Sequence, residues 1–286
     1  MNSTKIVSFI LLLLTINTVN AQDDLLNELG PEPTEKQLTS PAFKGIQICN
    51  MQSTKVASKN EWYFIVSHRF GDLTKGFDNF FGMDSALTKI GTLYGATDWL
   101  TLGASRHTYN KIYELSLKYR IANQYENGFP FTIVGYNSVD INSDLDKTIF
   151  PDLKGSDRLA YTSQLLISKR FSDDLSLELN PIYVHKNLYD PLTENKDTFL
   201  VGIGGRYKIS KRMSINAEYG ARLNDVNAAN YRNPLSIGMD METGGHVFQM
   251  VFSNSQAMND VTYFTNASGD WNGGGIYFGF NMYRVF

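Results

Sequence analysis

The 286-residue chain contains one cysteine, Cys49, which excludes a disulfide framework and a thiolate-rich metal site. Proline is scarce, 8 residues against 23 glycines, so a proline-rich disordered chain is excluded as well. Neither sign of charge dominates. With 26 basic and 29 acidic residues the formal net charge is −3, which gives no broad electrostatic footprint for nucleic acid. Beyond Asn20 no apolar run reaches the length of about 18 residues that a membrane-crossing helix needs. These absences leave a soluble all-β protein or an outer-membrane barrel, whose membrane signal is spread over short alternating segments.

The N-terminus points to export. Lys5 is followed by a nearly pure apolar run over 6–14, and Val19-Asn20-Ala21 places small or modest side chains ahead of a cut before Gln22. Residues 1–21 therefore read as a signal peptide. No cysteine follows the cut, so a lipoprotein anchor is not expected. Residues 22–42 are acidic, contain Pro31, Pro33 and Pro41, and read as a flexible periplasmic lead.

From about residue 60 the dominant pattern is period two, which belongs to strands. Met213, Ile215, Ala217, Tyr219, Ala221 and Leu223 alternate without error with Ser214, Asn216, Glu218, Gly220, Arg222 and Asn224. Tyr113, Leu115, Leu117 and Tyr119 alternate in the same way with Glu114, Ser116, Lys118 and Arg120. Candidate strands fall near 60–70, 86–95, 97–107, 111–122, 129–139, 157–171, 174–185, 197–209, 212–224, 233–243, 245–255 and 274–286. Tight turns at 95–98, 171–174, 209–212 and 243–245 interleave with longer loops at 140–156, 186–196, 225–232 and 256–273. That asymmetry is typical of bacterial barrels, with the short side periplasmic. The expected fold is thus a single antiparallel, transmembrane, up-and-down β-barrel of about 12 strands, occupying 43–286. Residues 43–50 also look strand-like, but a thirteenth strand breaks the parity that keeps both ends periplasmic. Residues 43–59 are therefore assigned to the lumen or the rim, and a 14-strand barrel using 43–50 and part of 257–267 is the alternative.

The chain ends GFNMYRVF, with alternate apolar residues Ile276, Phe278, Phe280 and Met282 before the terminal Phe286. This is similar to the C-terminal signal read by outer-membrane assembly machinery, although Arg284 takes a place where that pattern expects an apolar residue. Together with HRFGD (68–72), FFGMD (80–84), KIYELSLKYR (111–120), NPIYVHKN (180–187), GGRYKIS (204–210) and ETGGHVFQ (242–249), the segment resembles an uncharacterised family of bacterial outer-membrane β-barrels, domain of unknown function family 5777. The resemblance implies a barrel and an outer-membrane address, and it implies no activity.

No residue pattern points to an enzyme, a metal or a cofactor. The glycines of GIGGR (202–206) sit inside a strand and open no helix, so they read as relief of strand crowding. Calcium at GDWNGGG (269–275) would rest on Asp270 alone. His68, His107, His185 and His246 do not pair at metal-ligand spacing, and a rim cluster of the first three needs three separate strands to cooperate. His246 and Ser253 are of opposite strand parity and cannot form a nucleophile–base pair.

The polar faces hold the candidate lumen-lining residues Arg106, Glu114, Lys118, Arg120, Glu178, Arg206, Lys208, Glu218, Arg222, Asp240 and Glu242. On the lipid side an Arg or Lys at mid-depth would cost about 2–4 kcal/mol, so these charges are expected to face inward. If the lumen conducts, Lys118, Arg120, Arg206 and Arg222 set its narrowest region, with Glu114 and Glu218 as counter-charges. In this reading Glu218→Gln leaves assembly nearly intact. The leading function is a small pore or uptake channel for polar solutes. The alternative is a closed barrel that docks a periplasmic or cell-surface partner through residues 22–59 or the long loops. Expected partners are outer-membrane lipid and, through the strand ending at Phe286, the barrel assembly machinery.

Overall fold

The computed structural model of the protein describes residues 37–224 and 231–286. The expected signal peptide and most of the expected lead lie outside the described residues.

Twelve strands occur among the described residues: β1 (Trp62–Asp72), β2 (Leu87–Gly95), β3 (Leu100–His107), β4 (Ile112–Ala122), β5 (Thr132–Asn142), β6 (Leu159–Arg170), β7 (Leu175–Lys186), β8 (Asp197–Lys208), β9 (Met213–Arg222), β10 (Leu235–Thr243), β11 (His246–Ser253) and β12 (Tyr277–Val285). Each pairs antiparallel with its neighbours in sequence, and β12 returns to β1 with Tyr63 opposite Val285 and Ser67 opposite Asn281. The sheet is closed, so no row of unpaired backbone groups faces lipid. The fourteen-strand alternative is excluded, because 43–50 and 257–267 lie inside the barrel instead of adding to its wall.

Strands occur where the alternation predicts them, because the period of two has a buried and a lipid-exposed face to satisfy. Ser214, Asn216 and Glu218 are buried on the inner face of β9, while Ile215 and Tyr219 are exposed on its outer face. Leu115 and Leu117 point outward from β4 in the same way, and Glu114 and Lys118 point in. The turns at 96–99, 171–174, 209–212 and 244–245 share one end of the barrel, and the longer loops lie at the other. Two connections depart from that rule. The turn-end connection 123–131 is long, and the loop-end connection 108–111 is short.

Ile215→Arg should block assembly, since Ile215 is 45% exposed on the outer face and a mid-depth arginine there costs about 2–4 kcal/mol. Heat-modifiable gel migration of the variant measures this, and unchanged migration would place Ile215 away from lipid.

Along the seam where the barrel closes, outward rings form a ladder. Phe70 stacks on Phe278 and Phe278 meets Phe252, while Phe280 lies between His68 and Phe248. The seam is held by side chains as well as by backbone pairing.

Candidate functional site

Residues 42–57 enter the barrel from the turn end, reverse at 48–51 and leave again as a tongue. Ser53 N donates to Ile46 O at 3.0 Å and Ile48 N to Met51 O at 2.8 Å. Almost every residue of the tongue is buried. Such a narrow reversal leaves several backbone groups unpaired, and the barrel wall supplies their partners. Glu218 is the hub. Its carboxylate accepts from Cys49 N (2.9 Å), Asn50 N (2.8 Å) and Met51 N (3.0 Å). Lys118 Nζ donates to Ile46 O (3.0 Å) and Ser53 O (3.1 Å), and Glu178 accepts from Thr54 N (3.0 Å). Asn281 Nδ2 donates to Cys49 O (2.8 Å), and Arg69 Nη2 to Asn50 Oδ1 (2.8 Å).

A second segment enters from the loop end. The connection between β11 and β12 folds inward over 254–267 and carries α1 (Asp260–Thr265), whose six residues are all buried. Tyr263 OH donates to Glu218 Oε1 at 2.8 Å, so one carboxylate holds both inserts. Asp260 accepts from Gln164 Nε2 at 2.7 Å and from Gln52 Nε2 of the tongue at 3.3 Å. Burial first, and then the charge of Glu114, push the Asp260 carboxyl up to about 7.

The inner wall is apolar where the inserts press on it. Ile182, Val184 and Leu200 pack with Met51, Val261 and Phe264, and Val134, Tyr136 and Leu166 pack with Val56. In a water-filled lumen such side chains would forgo burial worth about 1.5–3 kcal/mol each. Two glycines of GIGGR make room for the tongue. A Cβ on Gly202 would collide with the Met51 side chain and one on Gly204 with that of Ile48. Between tongue and wall a cavity of about 30 Å³ remains beside Lys89, Glu114 and Lys118, enough for isolated water. Beyond α1, toward the loop end, lies a chamber of about 530 Å³.

The predicted lumen residues divide into several groups. Glu114, Lys118, Glu178, Arg206, Glu218 and Asp240 are buried on the inner face. Glu114 pairs with Lys89 (3.2 Å) and lies 3.3 Å from His107 Nε2. Asp240 accepts from Gln249 Nε2 at 2.6 Å. Arg206 donates to Ser214 Oγ (3.1 Å) and lies 3.6 Å from Glu242, which pairs with Lys44 at the tongue's base (3.3 Å). Arg120 and Lys208 share the inward parity at the turn-end rim. Arg222 stands at the loop-end rim, donating to Tyr231 O (2.7 Å) and Thr265 O (3.3 Å).

Arg106 corrects the sequence reading. Thr101 and His107 are buried on the inner face, so the intervening parity sends Arg106 outward, over the Tyr113 ring at 4.7 Å and onto the carbonyl of His107. Near the strand end a long arginine keeps its charge at the interface while its stem covers apolar surface. The expected constriction is corrected too. Backbone segments fill the lumen where a ring of cationic side chains was expected, and Lys118 and Arg222 bind those segments. The three-histidine cluster does not form, because His107 faces in while His68 stacks outward on Phe280 and His185 meets Asp197 (2.6 Å) on the outer side.

Sequence reasoning missed Arg69, Lys89, Asp140 and Asp260. Arg69 follows inward Tyr63 and Ile65 on a strand apolar on both faces, so alternation carried no sign there. The strand expected at 129–139 stopped one residue before Asp140, which the structure keeps in β5. Apolar residues on both faces of β7 were the legible sign of a filled lumen, since Ile182 and Val184 have no use in a wet one.

Glu218→Gln, expected to leave assembly nearly intact, should still disturb the hub. An amide offers one acceptor where the carboxylate offers two, and its NH2 would face backbone donors. Each buried donor left unpaired costs about 1–3 kcal/mol, enough to loosen the tongue while the wall stays paired. Cys49 is fully buried and reports on this directly. It should resist a polar maleimide in the intact protein and react in Glu218→Gln, with heat-modifiable migration retained. Equal Cys49 labelling of the two proteins would count against the hub.

No curated protein matches the chain. Among solved structures, a NanC porin shares 10% identity and a TM-score of 0.51, the match covering 78% of this chain and 99% of that one. A KdgM porin in complex with disordered oligogalacturonate gives 10% identity, TM-score 0.50 and the same coverage. At that identity the likeness is one of fold. The model of a family described as a membrane-bound β-barrel domain, DUF5777, matches residues 43–286, from the start of the tongue to the terminal Phe286. The chain belongs to that family.

Proposed function

We propose that the protein is an outer-membrane barrel, closed at rest, that acts as a non-enzymatic surface and periplasmic docking element and is not a standing diffusion pore. The observation that carries this reading is the convergence of both inserts on Glu218, inside a wall whose inner apolar residues pack on them. Twelve strands lie between the eight that side chains fill and the sixteen or more that leave a channel, so inserted segments decide the outcome. In this reading the turn end is periplasmic and the loop end faces the cell exterior. The tongue starts and ends at the periplasmic rim, where Lys44 and Glu242 pair, and offers a route by which a periplasmic partner could pull on it.

A gated channel is the second reading, and one observation favours it. Both inserts are connections between strands or precede β1, so they can withdraw without breaking any wall pairing. Planar-bilayer recording of the purified protein separates a closed barrel from an open one. Silence at all voltages supports closure at rest, and defined steps without any trigger would sink it.

A further inference from the structure

The chamber at the loop end is bounded by the connections 108–111, 143–158 and 187–196 and by α1. Its volume of about 530 Å³ falls within the range of about 300–1,000 Å³ usual for ligand pockets. Ile112 and Val261 of α1, both buried, border it on the barrel side. Its walls are largely apolar as well, with Leu145, Phe150, Leu188 and Pro191 contributed by the two long loops. Phe150 is 41% exposed and Leu188 38%, although both lie in loops beyond the lipid-facing strands. Apolar surface gathered around a concavity and left in water is what small-molecule sites present.

One cation of the lining is unbalanced. Arg158 donates through Nη1 to Asn142 O (3.1 Å) and through Nη2 to Leu145 O (2.8 Å), and both of those residues line the chamber too. The two carbonyls hold the guanidinium in place without neutralising it. Of its five N–H groups three have no partner among the described residues, and it joins no ion pair there. Asp146 lies near, but it is exposed and accepts from Thr148 N (2.8 Å). The other charges of the lining are committed. Lys186 Nζ is held by Glu194 Oε1 (2.9 Å) and Asn266 Oδ1 (2.8 Å). Asp157 accepts from Lys154 N (2.8 Å), and the exposed Asp190 from Leu192 N (3.0 Å) and Thr193 Oγ1 (3.0 Å).

We infer that this chamber binds a small apolar monocarboxylate, whose carboxylate meets Arg158 and whose hydrocarbon or aryl body lies on Leu145, Phe150 and Leu188. A planar guanidinium with N–H groups to spare is the side chain best matched to a carboxylate. A neutral ligand of the same shape would shield those N–H groups from water and give no acceptor of equal strength in return. A polyanion would bring further negative charge against Asp157 and Asp190, a mismatch that disfavours it. A polar sugar would leave the apolar walls without a partner. The inference goes beyond the docking reading and does not rest on it, because the chamber lies on the outer side of α1, outside the lumen.

Calorimetric titration of the purified protein in lipid nanodiscs, with empty nanodiscs subtracted, tests it. The probes are octanoate, decanoate and hydrocinnamate, each set against its own primary amide, with trigalacturonate as the polyanionic control. At least one carboxylate should bind at submillimolar concentration, and trigalacturonate should not compete. The matching amide should bind about tenfold more weakly, the size of effect expected when one charge-assisted contact is lost. Arg158→Gln should abolish the preference for acid over amide, while Arg158→Lys, which keeps the charge, should retain part of it. Phe150→Ala should weaken acid and amide alike, by about tenfold, and leave the preference in place. Unreactive Cys49 in every variant certifies an intact interior. No heat with any of the three carboxylates, an amide that binds as tightly as its acid, or competition by trigalacturonate would each overturn the inference. So would an acid preference that survives Arg158→Gln, unchanged affinity in Phe150→Ala, or equal loss of acid and amide in both arginine variants.

Discussion

A variant lacking 43–56 and with 257–267 replaced by a short glycine–serine linker is expected to give defined current steps where the intact protein is silent. The wall of the barrel does not depend on these segments, since its twelve strand pairs close on themselves. The lumen does depend on them. Removing the tongue alone frees Lys118, Glu178 and three of the hub's four hydrogen bonds, but Tyr263 still reaches Glu218 and α1 still spans the outer half. The single deletion should therefore conduct weakly and the double deletion fully. The cleared lumen would be lined by both signs, with Lys89, Lys118 and Arg69 facing Glu114, Glu178 and Glu218, so little preference between small cations and anions is expected. Silent double-deletion barrels that still show heat-modifiable migration would mean that the wall itself collapses inward, and the plug would lose its assigned role.

Removing 279–286 should have the larger effect on assembly. Those residues carry nearly all of β12, which pairs with β1 from Arg69 to Tyr63 and with β11 from Val251 to His246. Without them β1 and β11 become open edges at membrane depth, where each unpaired backbone group costs several kcal/mol. The aromatic ladder built on Phe280 goes with them. Loss of Phe286 alone removes the two terminal bonds with Trp62 and should slow assembly without abolishing it. Accumulation in the periplasm, read by fractionation and protease sensitivity, is the expected result for the longer truncation. A fully folded, heat-modifiable truncated protein would show that closure through β12 is dispensable.

What could be read in the residues alone was the wall. Period-two alternation is a local property, imposed by lipid on one side and a different medium on the other, and it marks strands such as β4 and β9 with almost no context. The same rule placed Glu114, Lys118, Glu178, Glu218 and Asp240 on one side of that wall. It failed for Arg106 because strand β3, with Gly103 and Ala104 at its centre, has too weak a pattern to set the parity of its end. What filled the lumen was decided by tertiary structure alone. The strand-like stretch 43–50 carries no sign of which side of the wall it takes, and the tongue's stability comes from partners far along the chain: Glu218 for the backbone of 49–51, Glu178 for Thr54, Lys118 for the carbonyls of Ile46 and Ser53. Contacts of that range leave no mark on neighbouring residues. Only closing the barrel brings carboxylate and amide within 3 Å, and the closed lumen and the outer chamber both follow from it.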